Sequence, residues 1–250
     1  MTGLPSGFLD RPFAHRGLHG PGRPENSREA IMAAIDAGFG IEIDVQRSAD
    51  GHAMVFHDYG LTRLTGAKGT VQTTTADELD AIGLLGGPTG APKLPEVLSL
   101  IDGQVPLVIE IKDQDGAMGP NVGPLEYMVA RNLADYRGPV AVMSFNPHSM
   151  QAMADLAPDI PRGLVTCGYD ASEWPLIPAQ RREELAQIPD YDRIGACFIS
   201  HDAKDLGAQE VAARKALGTP VLCWTIRSPK AADDALEVAD QITFEGYLPA

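Results

Sequence analysis

Cysteine is scarce in this sequence of 250 residues, which contains only Cys167, Cys197 and Cys223. The number is odd and no two cysteines have CxxC spacing, so a disulfide framework and a zinc–cysteine site are both disfavoured. We therefore expect three buried, reduced thiols, as in a cytoplasmic protein.

Long apolar runs are also missing from the sequence. No run approaches the roughly 18 residues that a transmembrane helix requires. Residues 1–10 lack the basic start and the apolar core of a signal peptide. The sequence therefore predicts a cytoplasmic protein with no stable membrane insertion.

Basic residues are few, with 20 lysines and arginines against 34 aspartates and glutamates, for a net charge of −14. This balance disfavours non-specific binding to nucleic acid or to an anionic membrane. An acidic enzyme that acts on an anion needs positive charge concentrated at its site. A bound divalent cation can supply that charge, so the composition favours metal assistance.

Short apolar runs alternate with amphipathic stretches along the chain. The strand candidates are residues 12–17, 40–46, 106–111, 140–144, 162–166, 196–200, 220–225 and 241–244, with 53–57 as a short extra strand. Helical patterns lie at about 26–37, 75–83, 95–101, 125–136, 147–156, 180–188, 207–217 and 230–238. Alternating strands and helices in this number predict an α/β protein with the (β/α)₈ TIM barrel fold. The barrel would be a single domain over residues 1–250, with a short insertion after the second strand. A doubly wound open sheet is the alternative, because periodicity does not show closure.

Three carboxylates follow the pattern of a metal site at the ends of two barrel strands. Glu42 and Asp44 are two residues apart, so their side chains share a face, and Glu110 repeats the arrangement in the next barrel strand. Carboxylate oxygens without nearby thiolates suit Mg²⁺ or Ca²⁺ better than zinc. The alternative is a buried salt-bridge network in which Arg16 and Lys112 neutralise the carboxylates.

Two histidines end apolar strands at the same predicted mouth of the barrel, His15 after FA and His57 after MVF. Histidine suits proton transfer near neutral pH, and two histidines can divide the acid and base roles. A lone histidine at a strand end is more often structural. We interpret His201 as a further pocket residue, and His52 and His148 as surface residues.

The order of the motifs resembles the glycerophosphodiester phosphodiesterase family, over most of the chain and most densely over residues 12–112. The motifs are HRG at 15–17, PENS at 24–27, ExD at 42–44, DG at 50–51, HD at 57–58, KLPEVLSL at 93–100, IEIK at 109–112 and VLCWT at 221–225. The resemblance implies a TIM barrel and a divalent cation, Mg²⁺ or Ca²⁺.

The resemblance also implies a role for each site residue. The metal ligands fall on Glu42, Asp44 and Glu110, the acid–base pair on His15 and His57, and the phosphate- and substrate-binding residues on Arg16, Lys112, Glu25 and Trp224. Glu25 and Asn26 of the PEN motif would line the site or fix the first loop, and a capped helix start at Asn26 is an equally good and compatible interpretation. For Trp224, ordinary core packing is the alternative to a pocket wall.

Two segments depart from the family pattern. The chain ends in ITFEGYLPA, where members of the family often have an aspartate, so Glu245 is a candidate replacement. The segment between residues 57 and 93 is short, which would leave the substrate pocket more open.

The predicted function is metal-dependent hydrolysis of glycerophosphodiesters to glycerol 3-phosphate and an alcohol, with two histidines as acid and base. The sequence does not decide between direct attack by water and a route through a cyclic intermediate. It also does not give the head group of the substrate or the oligomeric state. One alternative is a lipid phosphodiesterase of the lysophospholipase D or sphingomyelinase D type, which we would expect to have an exposed apolar rim or a secretion signal. The other is a non-catalytic phosphate-ligand binding barrel, which would have lost a carboxylate or a histidine.

Overall fold

The fold is a closed barrel of eight parallel strands in a computed structural model that describes residues 3–249. The parallel strands are β1 (Phe13–His15), β2 (Gly40–Arg47), β4 (Leu107–Ile111), β5 (Val140–Ser144), β6 (Arg162–Thr166), β7 (Phe198–Asp202), β8 (Val221–Ile226) and β9 (Gln241–Phe244). β1 pairs with β2 on one side and with β9 on the other, which closes the sheet. The predicted TIM barrel is confirmed, and the open doubly wound sheet is wrong.

The remaining strand, β3 (Ala53–Val55), runs antiparallel to the end of β2 after the predicted Asp50-Gly51 turn. The helices are α1 (Arg28–Ala37), α2 (Thr62–Thr65), α3 (Ala76–Ala81), α4 (Leu94–Ile101), α5 (Pro124–Leu133), α6 (Pro147–Leu156), α7 (Ala179–Ala186), α8 (Gln209–Ala216) and α9 (Pro229–Leu236). Short 3₁₀ turns span Val71–Thr73 and Ala203–Asp205. Among the described residues, no helix is long and apolar enough to cross a membrane.

Helix α1 begins two residues later than the pattern predicted. Its N-cap is Ser27, whose side chain accepts a hydrogen bond from the Ala30 N–H at 3.1 Å. Asn26 has a positive φ of 59° and lies outside the helix, so the capped start predicted at Asn26 was wrong by one residue. This conformation leaves the Asn26 side chain free to bond elsewhere.

The barrel interior is apolar at one end, where β1, β5 and β7 contribute Phe13, Ala141 and Phe198 to a cluster closed by Phe8. Gly163 makes room for one of these rings, because a Cβ at that position would come within 2.5 Å of the Phe198 ring. Large rings therefore fill the lower barrel, and the polar side chains gather at the opposite end.

The segment between β3 and α4 forms the predicted insertion. It contains α2, a 3₁₀ turn and α3, and it buries its own small cluster of Phe56, Leu61 and Leu79 beside the barrel. Thr75 and Glu78 form a reciprocal capping box at the start of α3. The insertion therefore holds a fixed structure against the mouth of the barrel.

The cysteines are unpaired, as expected. Cys167 and Cys223 are buried, whereas Cys197 is only half-buried, so the expectation of three buried thiols was wrong for one of them.

Candidate active site

The carboxyl ends of β1, β2 and β4 bring the predicted residues together at one mouth of the barrel. In the parallel register, His15 lies opposite Glu42, and Asp44 lies opposite Glu110. Glu42 and Asp44 share the inward face of β2, while Ile43 between them packs into the apolar layer under the helices. The spacing of two residues thus places both carboxylates in the barrel.

Glu42, Asp44 and Glu110 form a buried carboxylate cluster, with one oxygen of each within 4.8 Å of the others. Burial and the neighbouring negative charges raise the pKa of Glu42 well above its ordinary value. Burial also acts to raise the pKa of Asp44, but the nearby cationic side chains, led by Lys112, hold it well below its ordinary value. The pKa values of these two neighbouring carboxylates are therefore shifted in opposite directions.

Two cationic side chains neutralise part of this cluster. Lys112 Nζ lies 2.7 Å from Glu110 Oε1 and 3.4 Å from Asp44 Oδ1. Arg16 Nε lies 3.3 Å from Asp44 Oδ2. The predicted salt-bridge network therefore exists for Asp44 and Glu110.

Glu42 stands apart from those ion pairs. Its Oε2 accepts the backbone N–H of Arg16 at 3.1 Å and lies 4.0 Å from His15 Nε2. Its Oε1 is buried, with no hydrogen-bond partner among residues 3–249. A buried carboxylate oxygen without a partner is costly, and the all-oxygen donor set fits a hard divalent cation at this position.

The loop after β1 places Arg16 over the cluster. Arg16 has a positive φ of 55°, and its Nη1 donates to Glu25 Oε1 at 2.6 Å. Burial acts to lower the pKa of Arg16, but Asp44, Glu25 and Glu42 raise it above its ordinary value. The guanidinium is therefore fixed in position and fully charged.

Asn26 of the PEN motif holds Asp44 on the other side. Its Nδ2 donates to Asp44 Oδ2 at 2.9 Å, and its Oδ1 accepts the Asp44 backbone N–H at 3.2 Å. Asn26 thereby fixes the orientation of the Asp44 carboxylate. The family resemblance implied that Asn26 lines the site or fixes the first loop, but the contact with Asp44 itself was not predicted.

His15 is oriented by a residue from the other end of the chain. Its Nδ1 lies 2.5 Å from Glu245 Oε2, and because a carboxylate only accepts, Nδ1 carries the proton. Glu245 also pairs with Arg227 at 2.8 Å and lies 3.5 Å from His19 Nε2. The hydrogen bond from His15 and the nearby His19 hold the pKa of Glu245 below its ordinary value, against the opposing effect of burial.

Glu245 therefore lies at the site, as the comparison with the family's terminal aspartate suggested. Of the atypical C-terminal segment that contains it, only Ala250 is outside the described residues.

A carboxylate also lies against Nδ1 of His57, as Glu245 does for His15. Its Nδ1 lies 2.7 Å from Asp58 Oδ1, and Asp58 in turn pairs with Arg63 of the insertion at 2.7 Å. Arg63 also pairs with Glu25 at 2.7 Å, and Glu25 is the partner of Arg16. One chain of ion pairs thus links His57 to Arg16 across the mouth.

Sequence reasoning missed Arg63 and gave no role to Asp58. Arg63 belongs to a segment without apolar periodicity that could place it, and it is five residues from Asp58, not the three or four that make side chains neighbours on a helix. Burial would raise the pKa of Asp58, but hydrogen bonds from His57 and Arg63 hold it well below its ordinary value.

A cavity of about 210 Å³ lies over these groups and is lined by His15, Arg16, Glu42, His57, Glu110, Lys112, Met143, Phe145, Val165, Trp224, Thr225, Arg227 and Thr243. Trp224 forms one wall, and its Nε1 donates to the Ser200 carbonyl at 3.0 Å. Its ring packs edge-on against Phe145 at 5.6 Å between centroids. Trp224 is thus both a cavity wall and part of an aromatic cluster, and the two interpretations are compatible.

The pocket role predicted for His201 was wrong. His201 is buried beneath the loops, where its Nδ1 lies 2.8 Å from Thr166 Oγ1, and it does not line the cavity. His201 belongs to β7 itself, and its Nε2 lies 3.5 Å from Asp205 Oδ2 in the 3₁₀ turn that follows the strand. His52 is partly exposed, as expected, and His148 is half-buried.

Comparisons with known proteins agree with this geometry. A model of the glycerophosphoryl diester phosphodiesterase family matches residues 15–243. The glycerophosphodiester phosphodiesterase of Caldanaerobacter subterraneus subsp. tengcongensis is 32% identical over 193 residues, which cover 73% of this chain and 76% of that protein. That of Bacillus altitudinis is 34% identical over 167 residues, which cover 63% of this chain and 67% of that protein.

A solved structure is also similar over nearly the whole chain. It is an Oleispira antarctica phosphodiesterase in complex with the product sn-glycerol-3-phosphate, with a TM-score of 0.76 and 25% identity, covering 95% of this chain and 93% of that one.

Proposed function

Because this chain belongs to the glycerophosphoryl diester phosphodiesterase family and is a phosphoric diester hydrolase, we propose that it hydrolyses glycerophosphodiesters to glycerol 3-phosphate and an alcohol with a divalent cation. The observation that carries this proposal is the convergence of three carboxylates, two cationic side chains and two carboxylate-bound histidines on one cavity. The similar phosphodiesterase with bound sn-glycerol-3-phosphate supports the nature of the product.

The two histidines would perform the proton transfers. The Nδ1 atoms of His15 and His57 are occupied by Glu245 and Asp58, so each ring has its Nε2 left for the reaction. One Nε2 would accept a proton from the attacking hydroxyl, and the other would donate a proton to the departing alkoxide. Proton donation is needed because an alkoxide is a poor leaving group at neutral pH.

Arg16 and Lys112 would bind the non-bridging oxygens of the phosphodiester. Both side chains line the cavity, and both are held by carboxylates, Arg16 by Glu25 and Lys112 by Glu110. Cations fixed before the substrate arrives stabilise charge in the transition state without reorganising. Trp224 would form the apolar side of the substrate pocket.

Glu42, Asp44 and Glu110 would hold the cation, Mg²⁺ or Ca²⁺. Their donor atoms are hard oxygens, and Glu42 Oε1 has no other partner among the described residues. When bound, the cation would offset the charge of the carboxylates and stabilise negative charge that develops on the phosphate.

The non-catalytic alternative predicted the loss of a carboxylate or a histidine. His15, Glu42, Asp44, His57 and Glu110 are all present, and the first two lie opposite each other across the β1–β2 pair. We therefore favour the enzyme, acting on a small-molecule substrate, and we propose that it acts in the cytoplasm.

A release assay tests the proposal. The protein, treated with EDTA, is incubated with glycerophosphocholine, glycerophosphoethanolamine and glycerophosphoglycerol, and Mg²⁺, Ca²⁺ or Mn²⁺ is then added back. We expect glycerol 3-phosphate to form only after addition of a cation. Full activity after thorough chelation would remove the cation from the mechanism, and release of inorganic phosphate would contradict the reaction itself.

A further inference from the structure

A second group of metal-ligating side chains lies against Nδ1 of His15. One donor atom each of His15, His19 and Glu245 lies within 4.8 Å of the others. His15 Nδ1 is 2.5 Å from Glu245 Oε2, and His19 Nε2 is 3.5 Å from the same oxygen. The Nε2 atom of His15 lies instead 4.0 Å from Glu42 Oε2, in the carboxylate cluster. The His15 ring therefore separates two chemically different groups of donor atoms.

The donors of this second group, which we call the His–His–Glu cluster, are two imidazole nitrogens and one carboxylate oxygen. Zn²⁺ is commonly bound by this combination, with water in the fourth position. Mg²⁺ and Ca²⁺ prefer oxygen ligands, which the carboxylate cluster of Glu42, Asp44 and Glu110 supplies. The two clusters therefore differ in the metal ion that they suit.

His19 has a ring nitrogen that no other group uses. Its Nε2 is buried and has no hydrogen-bond partner among residues 3–249, although Glu245 Oε2 lies 3.5 Å away. A buried polar atom without a partner is costly, and a bound metal ion would remove that cost. The His19 side chain as a whole is 27% exposed, so a metal ion can reach the cluster from solvent.

The loop after β1 fixes the two histidines relative to each other. The Gly17 N–H donates to the Glu42 carbonyl at 3.2 Å, and the His19 N–H donates to the Gly17 carbonyl at 2.9 Å. Gly17 has a φ of 76°, and a Cβ there would come within 2.8 Å of the Ala30 backbone. The turn therefore requires glycine, and it holds His19 beside His15 without any metal.

Glu245 is held from its other side. Its backbone N–H donates to the Ile226 carbonyl at 3.0 Å, and Arg227 lies 2.8 Å from Oε1. This pairing leaves Oε2 to face the two histidines. Carboxylates that bind metal ions are usually held by such a hydrogen bond. Arg227 is 64% exposed, so solvent weakens its repulsion of a bound cation.

The distances within the cluster are close to those of a zinc site. Tetrahedral Zn²⁺ at ordinary bond lengths separates its donor atoms by about 3.3 Å. The distance of 3.5 Å between His19 Nε2 and Glu245 Oε2 agrees with this value. The shorter distance between His15 Nδ1 and Glu245 Oε2 has to open by roughly 1 Å, which rotation of the flexible glutamate side chain allows.

We propose that His15, His19 and Glu245 form a second metal site, which binds Zn²⁺ and thereby inhibits the enzyme; the inhibition rests on the proposed phosphodiesterase activity. Zn²⁺ bonds to His15 Nδ1, His19 Nε2 and Glu245 Oε2, with water as the fourth ligand. The proton on His15 Nδ1 moves to Nε2, so the ring stays neutral and no proton is lost. With Nε2 protonated and Nδ1 bound to the metal, the ring can no longer accept a proton, and acid–base catalysis stops.

Isothermal titration calorimetry tests the site without an activity assay. Zn²⁺ is titrated into the full chain at saturating Mg²⁺. We expect a Zn²⁺ site that His19→Ala weakens at least roughly 100-fold, because loss of a mere supporting partner of a ligand already costs roughly 10- to 100-fold. His52→Ala is the matched control, since His52 also lies near a carboxylate, 3.9 Å from Asp50. Equal Zn²⁺ affinities in the two variants would overturn the site.

Two further variants locate the bound ion. Glu245→Gln removes the charged ligand and should also weaken Zn²⁺ binding, which keeps the proposal testable if circular dichroism shows that His19→Ala does not fold. Glu110→Gln alters only the carboxylate cluster and should keep the site. Loss of the site in Glu110→Gln but not in Glu245→Gln would place Zn²⁺ among the carboxylates and contradict the proposal.

Inhibition by Zn²⁺ tests the consequence for activity. Release of glycerol 3-phosphate from glycerophosphocholine is followed at saturating Mg²⁺ and increasing Zn²⁺, and each variant is compared with its own rate without Zn²⁺. We expect the Zn²⁺ concentration for half-inhibition to rise at least roughly 10-fold in His19→Ala and to stay the same in His52→Ala.

The outcomes separate this proposal from the proposed function. Equal inhibition of His19→Ala and His52→Ala would show that Zn²⁺ acts elsewhere and would overturn the inhibitory role. Absence of hydrolysis under every condition would refute the phosphodiesterase activity, whereas the calorimetric comparison would still decide whether the His–His–Glu cluster binds Zn²⁺.

Discussion

The Nδ1 atom of His15 lies 2.5 Å from the carboxylate of Glu245, although 230 residues separate the two in the sequence. The contact exists because β1 and β9 are neighbours where the barrel closes. It assigns the proton of His15 to Nδ1 and leaves Nε2 available at the cavity. A residue from the atypical C-terminal segment thereby sets the tautomer of His15, a proposed catalytic base or acid.

Replacement of Glu245 tests this relationship. In Glu245→Gln the amide can donate to Nδ1 and favour the other tautomer, so we expect kcat to fall roughly 10²-fold or more. Steady-state kinetics on glycerophosphocholine gives the measurement, with the exposed Glu183→Gln on α7 as the control. If both variants keep the activity of the original protein, Glu245 has no part in catalysis.

The histidines themselves should be indispensable. His15→Ala and His57→Ala are each expected to lower kcat by roughly 10²–10⁴-fold, because each removes a group that exchanges a proton with the substrate. His52→Ala, at a partly exposed turn position, is the control and should keep full activity. Near-normal turnover in a folded His57→Ala protein would refute its assignment.

Cation binding can be followed without an activity assay. A cation at about 100 times its Kd stabilises the folded state by about 2.7 kcal/mol, and for a chain of this length we expect the Tm to rise by roughly 5 °C or more. Glu42→Gln keeps the shape of the side chain but removes a charged ligand, so it should lose most of this rise. Glu183→Gln should show the full rise, and an equal rise in Glu42→Gln would exclude Glu42 as a ligand.

Arg63 should act as a positioning residue for His57. Loss of the guanidinium in Arg63→Ala frees Asp58 and, through it, the His57 ring, and we expect kcat to fall roughly 10- to 100-fold. Guanidinium added at low millimolar concentration should restore part of the activity in Arg63→Ala but leave Arg193→Ala, a surface ion-pair variant, unchanged. A loss of activity that guanidinium does not restore would indicate a purely structural role.

The same ion pairs predict how stability depends on pH. The carboxyl pKa values of Glu25 and Asp58 are lowered in the folded protein, where Arg63 hydrogen-bonds to both, although burial acts to raise them. A lowered folded pKa contributes stability above the unfolded values of about 4.3 and 3.9, and this contribution is lost as the pH falls towards the folded pKa.

Urea unfolding measures this effect in Arg63→Met. Because Arg63 is half-exposed, we expect a loss of only about 1 kcal/mol at pH 7. The difference from the original protein should shrink steadily below about pH 4, as the carboxyl groups become protonated in both proteins. A difference that stays constant down to pH 2 would show that the ion pairs do not stabilise the fold.

Much of the site could be predicted from the sequence because the positions of its residues follow from spacing along individual strands. Glu42 and Asp44 share a face since strand side chains alternate, and Glu110 repeats the pattern on the adjacent strand. His201 shows the limit of such reasoning, because its place near a strand end does not reveal that its ring is buried against Thr166 and Asp205. Asn26 shows another limit, since a positive φ moved it out of the helix and onto Asp44.

The sequence by itself determined the alternation of strands and helices, the spacing of the carboxylates and the positions of His15 and His57 at strand ends, because all of these depend on neighbours along the chain. The tertiary structure alone decided which carboxylate orients each histidine and how Arg63 of the insertion connects His57 to Arg16. These features depend on barrel closure and on loops packed against one another, and no local pattern encodes either.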